Sequence, residues 1–115
     1  QVDYAREIAF VALSDVGELL GVARFTADPD YEHAEFGILV RSDLKGRGLG
    51  RTLMEHLIAY ARADKLSEIK GYVLAENTGM LALAEQLGFT ISWAEDDPSI
   101  RQAVLKLNGR DRPAA

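Results

Sequence analysis

No cysteine occurs among the 115 residues of the chain. This excludes a disulfide framework, a thiolate metal site and a cysteine nucleophile, and it fits a cytoplasmic protein. Histidine is almost as scarce. His33 and His56 cannot build a histidine-rich metal site, so no metal is expected. No apolar run approaches the ~20 residues of a membrane-spanning helix, and no signal peptide is visible. Positive charge is in the minority, with 13 Lys and Arg against 18 Asp and Glu and a net charge of −5. Such a balance disfavours general nucleic-acid binding. What is present is ordinary globular usage. Hydrophobic residues at 48% and charged residues at 27% argue against disorder, and the length suits one domain with its own core.

Residues 7–13 (EIAFVAL) are mostly apolar and read as a strand. Ser14, Asp15 and Gly17 carry turn chemistry. Residues 19–27 (LLGVARFTA) read as a second strand, an Asp28-Pro29-Asp30 turn follows, and residues 34–40 (AEFGILV) read as a third. Three strands on short turns predict an antiparallel meander. Residues 41–50 (RSDLKGRGLG) break this pattern with charge and glycine. Beyond them Leu49, Leu53, Met54, Leu57, Ile58 and Ala61 fall at helical spacing. Residues 68–75 (EIKGYVLA) return to strand character, and residues 77–87 read as a second helix ended by Gly88. Two short strands, 90–93 and 102–107, flank the acidic loop Glu95-Asp96-Asp97-Pro98.

The order β-β-β-α-β-α-β-β predicts an α+β fold, a mixed and mostly antiparallel sheet flanked by helices. The βαβ unit between residues 34 and 75 should be parallel and right-handed. Residues 1–107 form the domain, and residues 108–115, without an apolar period, form a flexible tail. Phe89 and Trp93 are expected in the core, His33 and His56 at the surface.

The run Lys45-Gly46-Arg47-Gly48-Leu49-Gly50-Arg51 joins a strand to a helix. Backbone N–H groups at a helix start are unpaired and sit at the positive end of the helix dipole. Glycines let an anion approach them closely. Arg41, Lys45, Arg47 and Arg51 gather positive charge in this window of an acidic chain, which suits a polyphosphate. A Walker loop requires lysine and then Ser or Thr after its last glycine, but Arg51-Thr52 stands here. A dinucleotide fingerprint requires Gly-x-Gly-x-x-Gly, but the spacing is Gly46-x-Gly48-x-Gly50. A solvated glycine-rich turn is the remaining alternative.

The same run resembles the pyrophosphate loop of the GNAT acetyltransferases, Gln/Arg-x-x-Gly-x-Gly/Ala, with Lys45 in the first place. The lead-in Ile38-Leu39-Val40-Arg41-Ser42-Asp43-Leu44 resembles that family's fourth strand, and Glu76-Asn77 with Leu87-Gly88-Phe89 resemble its second signature. More narrowly, Ala34-Glu35-Phe36, the run from Val40 to Gly50, and Met80-Leu81-Ala82-Leu83-Ala84 resemble the GNAT domain of bacterial Pat-type protein lysine acetyltransferases. The resemblance implies a GNAT fold that lacks its usual N-terminal strand and helices. It also implies a domain fused to, or excised from, a larger acyl-CoA-synthetase-like chain.

It implies acetyl-CoA as cosubstrate. The pyrophosphate would rest on amides around Arg47, Gly48, Gly50 and Arg51, with Lys45, Gly46 and Leu49 lining the cradle and Asn77 adding a polar contact. The pantetheine arm would pair with the backbone of Ile38, Leu39 and Val40, and the Val40 N–H would stabilise the oxyanion. Glu35 interrupts an apolar strand, where a carboxylate is rare unless paired or used. A lysine amine, with a pKa of about 10.4, must lose a proton before attack. Glu35 in partly apolar surroundings suits the base that takes it. A salt bridge to Arg24 is the structural alternative, and Glu32 is the reserve base. The family's leaving-group tyrosine corresponds to Ala84, so Tyr72 is the substitute acid if it faces the cleft.

The expected activity is acetyl transfer from acetyl-CoA to a lysine side chain on a metabolic enzyme such as an acyl-CoA synthetase, by direct attack in a ternary complex. A small-molecule amine is the alternative acceptor, and a non-catalytic acyl-CoA sensor is the alternative function. The strand at residues 7–13 is expected at a sheet edge, where unpaired backbone groups invite self-association.

Overall fold

A computed structural model describes residues 6–28, 33–44 and 48–107. Glu32, Lys45, Gly46, Arg47 and the tail at 108–115 lie outside the described residues.

Three antiparallel strands open the fold: β1 (Arg6–Leu13), β2 (Leu19–Ala27) and β3 (His33–Val40). A 3₁₀ turn (Ser42–Leu44) leads towards α1 (Leu49–Ala63), and β4 (Glu68–Leu74) follows. Then come α2 (Thr78–Gln86), β5 (Thr90–Ala94) and β6 (Asp97–Lys106). The sheet order is β1-β2-β3-β4-β6-β5, with β1 at one edge as the sequence predicts. β3 and β4 form the parallel pair, joined through α1, and the other pairings are antiparallel.

Alternation decides which face of each strand is buried. In β2, Ala23, Phe25 and Ala27 are buried while Arg24 and Thr26 are exposed. Register carries the same face into Ile8 and Phe10 of β1 and Ala34, Phe36 and Ile38 of β3. Helix α1 lays Leu53, Met54, Leu57, Ile58 and Ala61 against that face. Each large side chain fully buried there contributes ~1.5–3 kcal/mol. Helix α2 covers the same face beside β5 and delivers Ala84 to the core. Among the described residues no helix covers the opposite face. It carries a polar row, Glu7–Thr26–Glu35–Lys70, and an apolar row, Val11–Val22–Leu39.

Both helices end in Schellman motifs. In α2 the Gly88 N–H donates to the Glu85 carbonyl (3.0 Å) and the Phe89 N–H to the Ala84 carbonyl (2.9 Å). In α1 the corresponding bonds run from Lys65 to Arg62 (3.0 Å) and from Leu66 to Ala61 (3.1 Å). Lys65 takes the left-handed position, with φ 64°, and Leu66 is fully buried behind it.

Two details differ from the sequence reading. β6 begins at Asp97 and not at Gln102, because Ala94 pairs with Asp97 across a two-residue turn. Pro98 is tolerated near the start of that strand. Trp93 is not a core residue; it is 63% exposed, with the Arg101 guanidinium stacked 3.3 Å above its ring centroid. The edge position of β5 leaves one side of the indole in water, and the cation covers the other. Phe89 is buried as expected.

Candidate active site

β3 and β4 pair only as far as Phe36↔Gly71. Beyond that point Gly37 to Val40 run without a registered partner in β4. The last pair is tightly packed, and this points to a steric origin for the gap. The Phe36 ring lies over Gly71 so closely that a Cβ on Gly71 would sit 2.5 Å from two of its carbons. Phe89 backs the ring at 5.4 Å between centroids. The Arg41 N–H donates to the Leu20 carbonyl (2.9 Å), which sets the hydrogen-bond phase of the β2–β3 ladder. By alternation the Leu39 N–H points to β2, and the Ile38 and Val40 N–H groups point into the gap between β3 and β4.

Helix α1 starts beside this gap. Its N-cap, Gly48, has φ 86°, a left-handed conformation that glycine adopts without strain. No described side chain caps α1, and its first turn holds no acidic residue. Its leading N–H groups therefore present partial positive charge outward. α2 is finished differently, since Asn77 Oδ1 accepts from the Met80 N–H at 3.2 Å.

A cavity of about 560 Å³ occupies the space between the two helix starts and the end of β3. Ile38, Leu39 and Val40 form one wall, Gly48, Gly50 and Arg51 the α1 side, and Asn77 the start of the α2 side. The structure thus brings together seven of the residues proposed from sequence as coenzyme contacts. Leu49 is not among them. Its side chain packs against the core beside Gly21, because the first apolar position of α1 falls on the buried face. Lys45, Gly46 and Arg47 lie outside the described residues.

The basic cluster is smaller than the sequence suggests. Arg41 Nε and Nη2 donate to the two carboxylate oxygens of Asp43 (2.8 and 3.0 Å), and Nη1 reaches Glu18 (3.4 Å). These bonds, Asp43 first and Glu18 after, raise the guanidinium pKa above its ordinary value. Arg41 serves as a tie between the β1–β2 turn and the 3₁₀ turn, and two carboxylates balance its charge. Arg51 lines the cavity.

Glu35 is exposed on the open face of the sheet, beside Thr26 and Lys70, and not in apolar surroundings. The expected partner Arg24 pairs with Glu7 instead, at 3.6 Å. Both results follow from alternation, which sends every second residue of the first three strands to the uncovered face. Tyr72 shares that face, one residue past the last β3–β4 pair, and is 51% exposed. Ala84, where the family tyrosine would stand, is buried at 2%. Sequence reasoning missed Leu44, Gly79, Met80, Ala82, Leu83 and Gln86, which also line the cavity. The helical period of α2 was the available signal for the last five, which follow Asn77 on neighbouring turns, whereas Leu44 ends the 3₁₀ turn. Among the described residues no cluster of His, Asp and Glu suits a metal ion, and no helix is long and apolar enough to cross a membrane.

Comparison with known proteins agrees with this geometry. An acetyltransferase of Pseudomonas aeruginosa is 34% identical over 99 residues, 84% of this chain and 53% of its own length. The L-methionine sulfoximine/L-methionine sulfone acetyltransferase of the same organism is 35% identical over 86 residues, 71% of this chain and 50% of that protein. Acetyltransferase Pat of Mycolicibacterium smegmatis is 30% identical over 99 residues, 84% of this chain and 29% of Pat. The chain therefore spans about half the length, or less, of these relatives. Among solved structures, the GNAT domain of S. lividans PAT shares the fold with a TM-score of 0.77 at 22% identity, over 93% of this chain and 64% of that one. Campylobacter jejuni N-acetyltransferase PseH, solved with acetyl coenzyme A, superposes with a TM-score of 0.67 at 31% identity, over 87% of this chain and 67% of that one. Residues 1–89 match the acetyltransferase (GNAT) family, and the chain, with its splayed parallel pair and uncapped glycine-led helix, belongs to that family.

Proposed function

We propose that the protein is an acetyl-CoA-dependent N-acetyltransferase that works by direct transfer in a ternary complex. The observation that carries this reading is the cavity at the β3–β4 gap, which joins inward-pointing strand amides to an uncapped helix start. The residues suit the coenzyme. A Cβ on Gly48 would meet a left-handed backbone, so the chain keeps the bare turn that a pyrophosphate needs. Acetyl-CoA brings an activated acetyl thioester. The Ile38 and Val40 amides pair with the amide-rich arm, and the Val40 N–H meets the negative charge that develops on the thioester oxygen. The α1 amides from Leu49 to Arg51 hold the pyrophosphate, with Asn77 adding a polar contact.

Glu35 takes the proton from the attacking amine, directly or through water. Its exposure on the open face supports an acceptor that approaches from the side of the sheet away from the helices. With alanine at position 84 and Tyr72 on the open face, outside the residues that line the cavity, the thiolate leaves unaided. A thiol with a pKa of about 8.5 is a tolerable leaving group. The resemblance of Ala34-Glu35-Phe36 and of the run from Val40 to Gly50 to Pat-type enzymes supports a protein lysine as acceptor, on metabolic enzymes such as acyl-CoA synthetases, in a domain fused to or excised from a synthetase-like chain. The match to the methionine sulfoximine enzyme supports a second reading, a small amine. A cytoplasmic location fits the absence of cysteine and the choice of coenzyme. The β1 edge and the exposed Val11 and Leu13 support self-association.

Single-turnover transfer from radiolabelled acetyl-CoA, with peptide lysine and small amines in parallel, tests the proposal. Label on an acceptor is the expected result. Tight coenzyme binding without transfer to any amine would instead identify an acyl-CoA sensor.

A further inference from the structure

Arg51 and Gln86 meet across the mouth of the cavity. Arg51 lies in the first turn of α1 and Gln86 is the last residue of α2. Both line the cavity. Arg51 Nη2 donates to Gln86 Oε1 at 2.6 Å, and Nη1 reaches Glu55 Oε2, one helical turn on, at 3.4 Å. Among the described residues lining the cavity, Arg51 is the one charged side chain.

Its two partners differ in charge. Glu55 compensates the guanidinium, whereas Gln86 orients it through a neutral oxygen. A glutamate at 86 has nearly the same size and would form a stronger, charge-assisted bridge. It would also set a second carboxylate against the guanidinium, beside Glu55, and place it where an anion enters. A carboxamide at this position makes the bridge and spares the charge.

We propose that Gln86 is a positioning residue for coenzyme phosphate. It draws Arg51 over the cavity mouth and, being neutral, adds no second carboxylate beside Glu55. α2 thereby takes part in phosphate binding although its own helix start is capped and turned to other use. The inference rests on reading the cavity as the acyl-CoA site, and adds to it a residue whose neutrality matters.

The test compares the wild-type chain with Gln86→Glu, Gln86→Ala and Gln86→Met. Thermal melting without ligand reports the bridge, and calorimetry with acetyl-CoA reports binding. Gln86→Glu should melt at or above the wild-type temperature yet bind acetyl-CoA about ten- to a hundredfold more weakly, the scale of one added charge near contact distance. Gln86→Ala and Gln86→Met should bind about two- to fivefold more weakly, the scale of one lost neutral hydrogen bond. A bridge that serves only the fold would raise stability in Gln86→Glu and leave affinity unchanged, and that result overturns the inference while the cavity reading stands. If Gln86→Glu does not fold, wild-type affinity in the other two variants overturns it equally. Absence of acetyl-CoA binding in the wild type removes the cavity reading itself, and this inference with it.

Discussion

Gly71 is the position where a single methyl group tests how the gap between β3 and β4 is made. In Gly71→Ala the new Cβ would lie 2.5, 2.5 and 2.8 Å from three carbons of the Phe36 ring, where ordinary contact begins at 3.4 Å. The ring must retreat by roughly 1 Å (3.4 − 2.5). It cannot do so freely, because Phe89 packs against it at 5.4 Å and is itself buried. Overpacking of this kind costs ~1–3 kcal/mol. Replacing glycine returns ~0.5–1 kcal/mol by narrowing the unfolded ensemble. At the midpoints of these ranges the expected net loss is about 1.2 kcal/mol. With an unfolding entropy of about 2.1 cal/mol/K per residue over 115 residues, the melting temperature falls by roughly 5 °C. Calorimetric melts of Gly71→Ala, Phe36→Leu and the double variant measure this. The double variant should recover part of the loss, since leucine leaves room for the methyl group. Acetyl-CoA affinity should fall in Gly71→Ala and return with the second change, because the same contact sets where the strands part. A Gly71→Ala protein as stable as the wild type, or a double variant showing only the sum of the single effects, would refute the steric account of the gap.

Gly48→Ala forces alanine to φ 86°. It should cost ~1–2 kcal/mol in a thermal melt and weaken acetyl-CoA binding, whereas Gly50→Ala, whose Cβ would meet neighbours at 3.7 and 3.9 Å, should fold without strain. Lys65→Gly removes a left-handed lysine at φ 64° and should raise stability by ~0.5–1 kcal/mol in denaturant titration. Glu35→Gln should lower turnover by ~10²–10⁴-fold with little change in coenzyme affinity; near-normal turnover would dismiss Glu35 as the base. Hydrogen bonds from the Ser99 hydroxyl and N–H hold the Asp97 carboxyl below its ordinary pKa. A lowered folded-state value means the contribution is present above the ordinary carboxylate range and is lost as pH falls through the folded pKa. Asp97→Asn should remove that part of the acid-side stability loss, read from melts at stepped pH.

Local sequence determined most of the fold. From Ala23 to Ala27, β2 alternates small or aromatic residues with polar ones, so its two faces are legible there without a neighbour. The residues of α1 that meet the sheet recur at helical spacing, from Leu53 to Ala61. Gly48 marks the turn into α1, because a left-handed backbone at a helix start favours glycine. The seven cavity residues recognised from sequence are those whose part depends on backbone position, as with the amides of β3 and the start of α1. Such positions follow from local conformation alone.

Tertiary structure decided what side chains do once a neighbour is, or is not, above them. Glu35 and Trp93 both sit in apolar strand sequences, yet one faces the open side of the sheet and the other an edge. Period-two alternation cannot tell a covered face from a bare one. Arg41 counted towards the basic cluster by proximity in sequence, but Glu18, brought close by the β2–β3 register, and Asp43 take its charge. Gln86 lies 35 residues from Arg51 and becomes its partner only when α2 returns to the cavity mouth. Sequence determines which backbone can bind an anion, because that depends on φ and on the order of elements. The balance of charge around it depends on distances through space, and only the packed chain sets those.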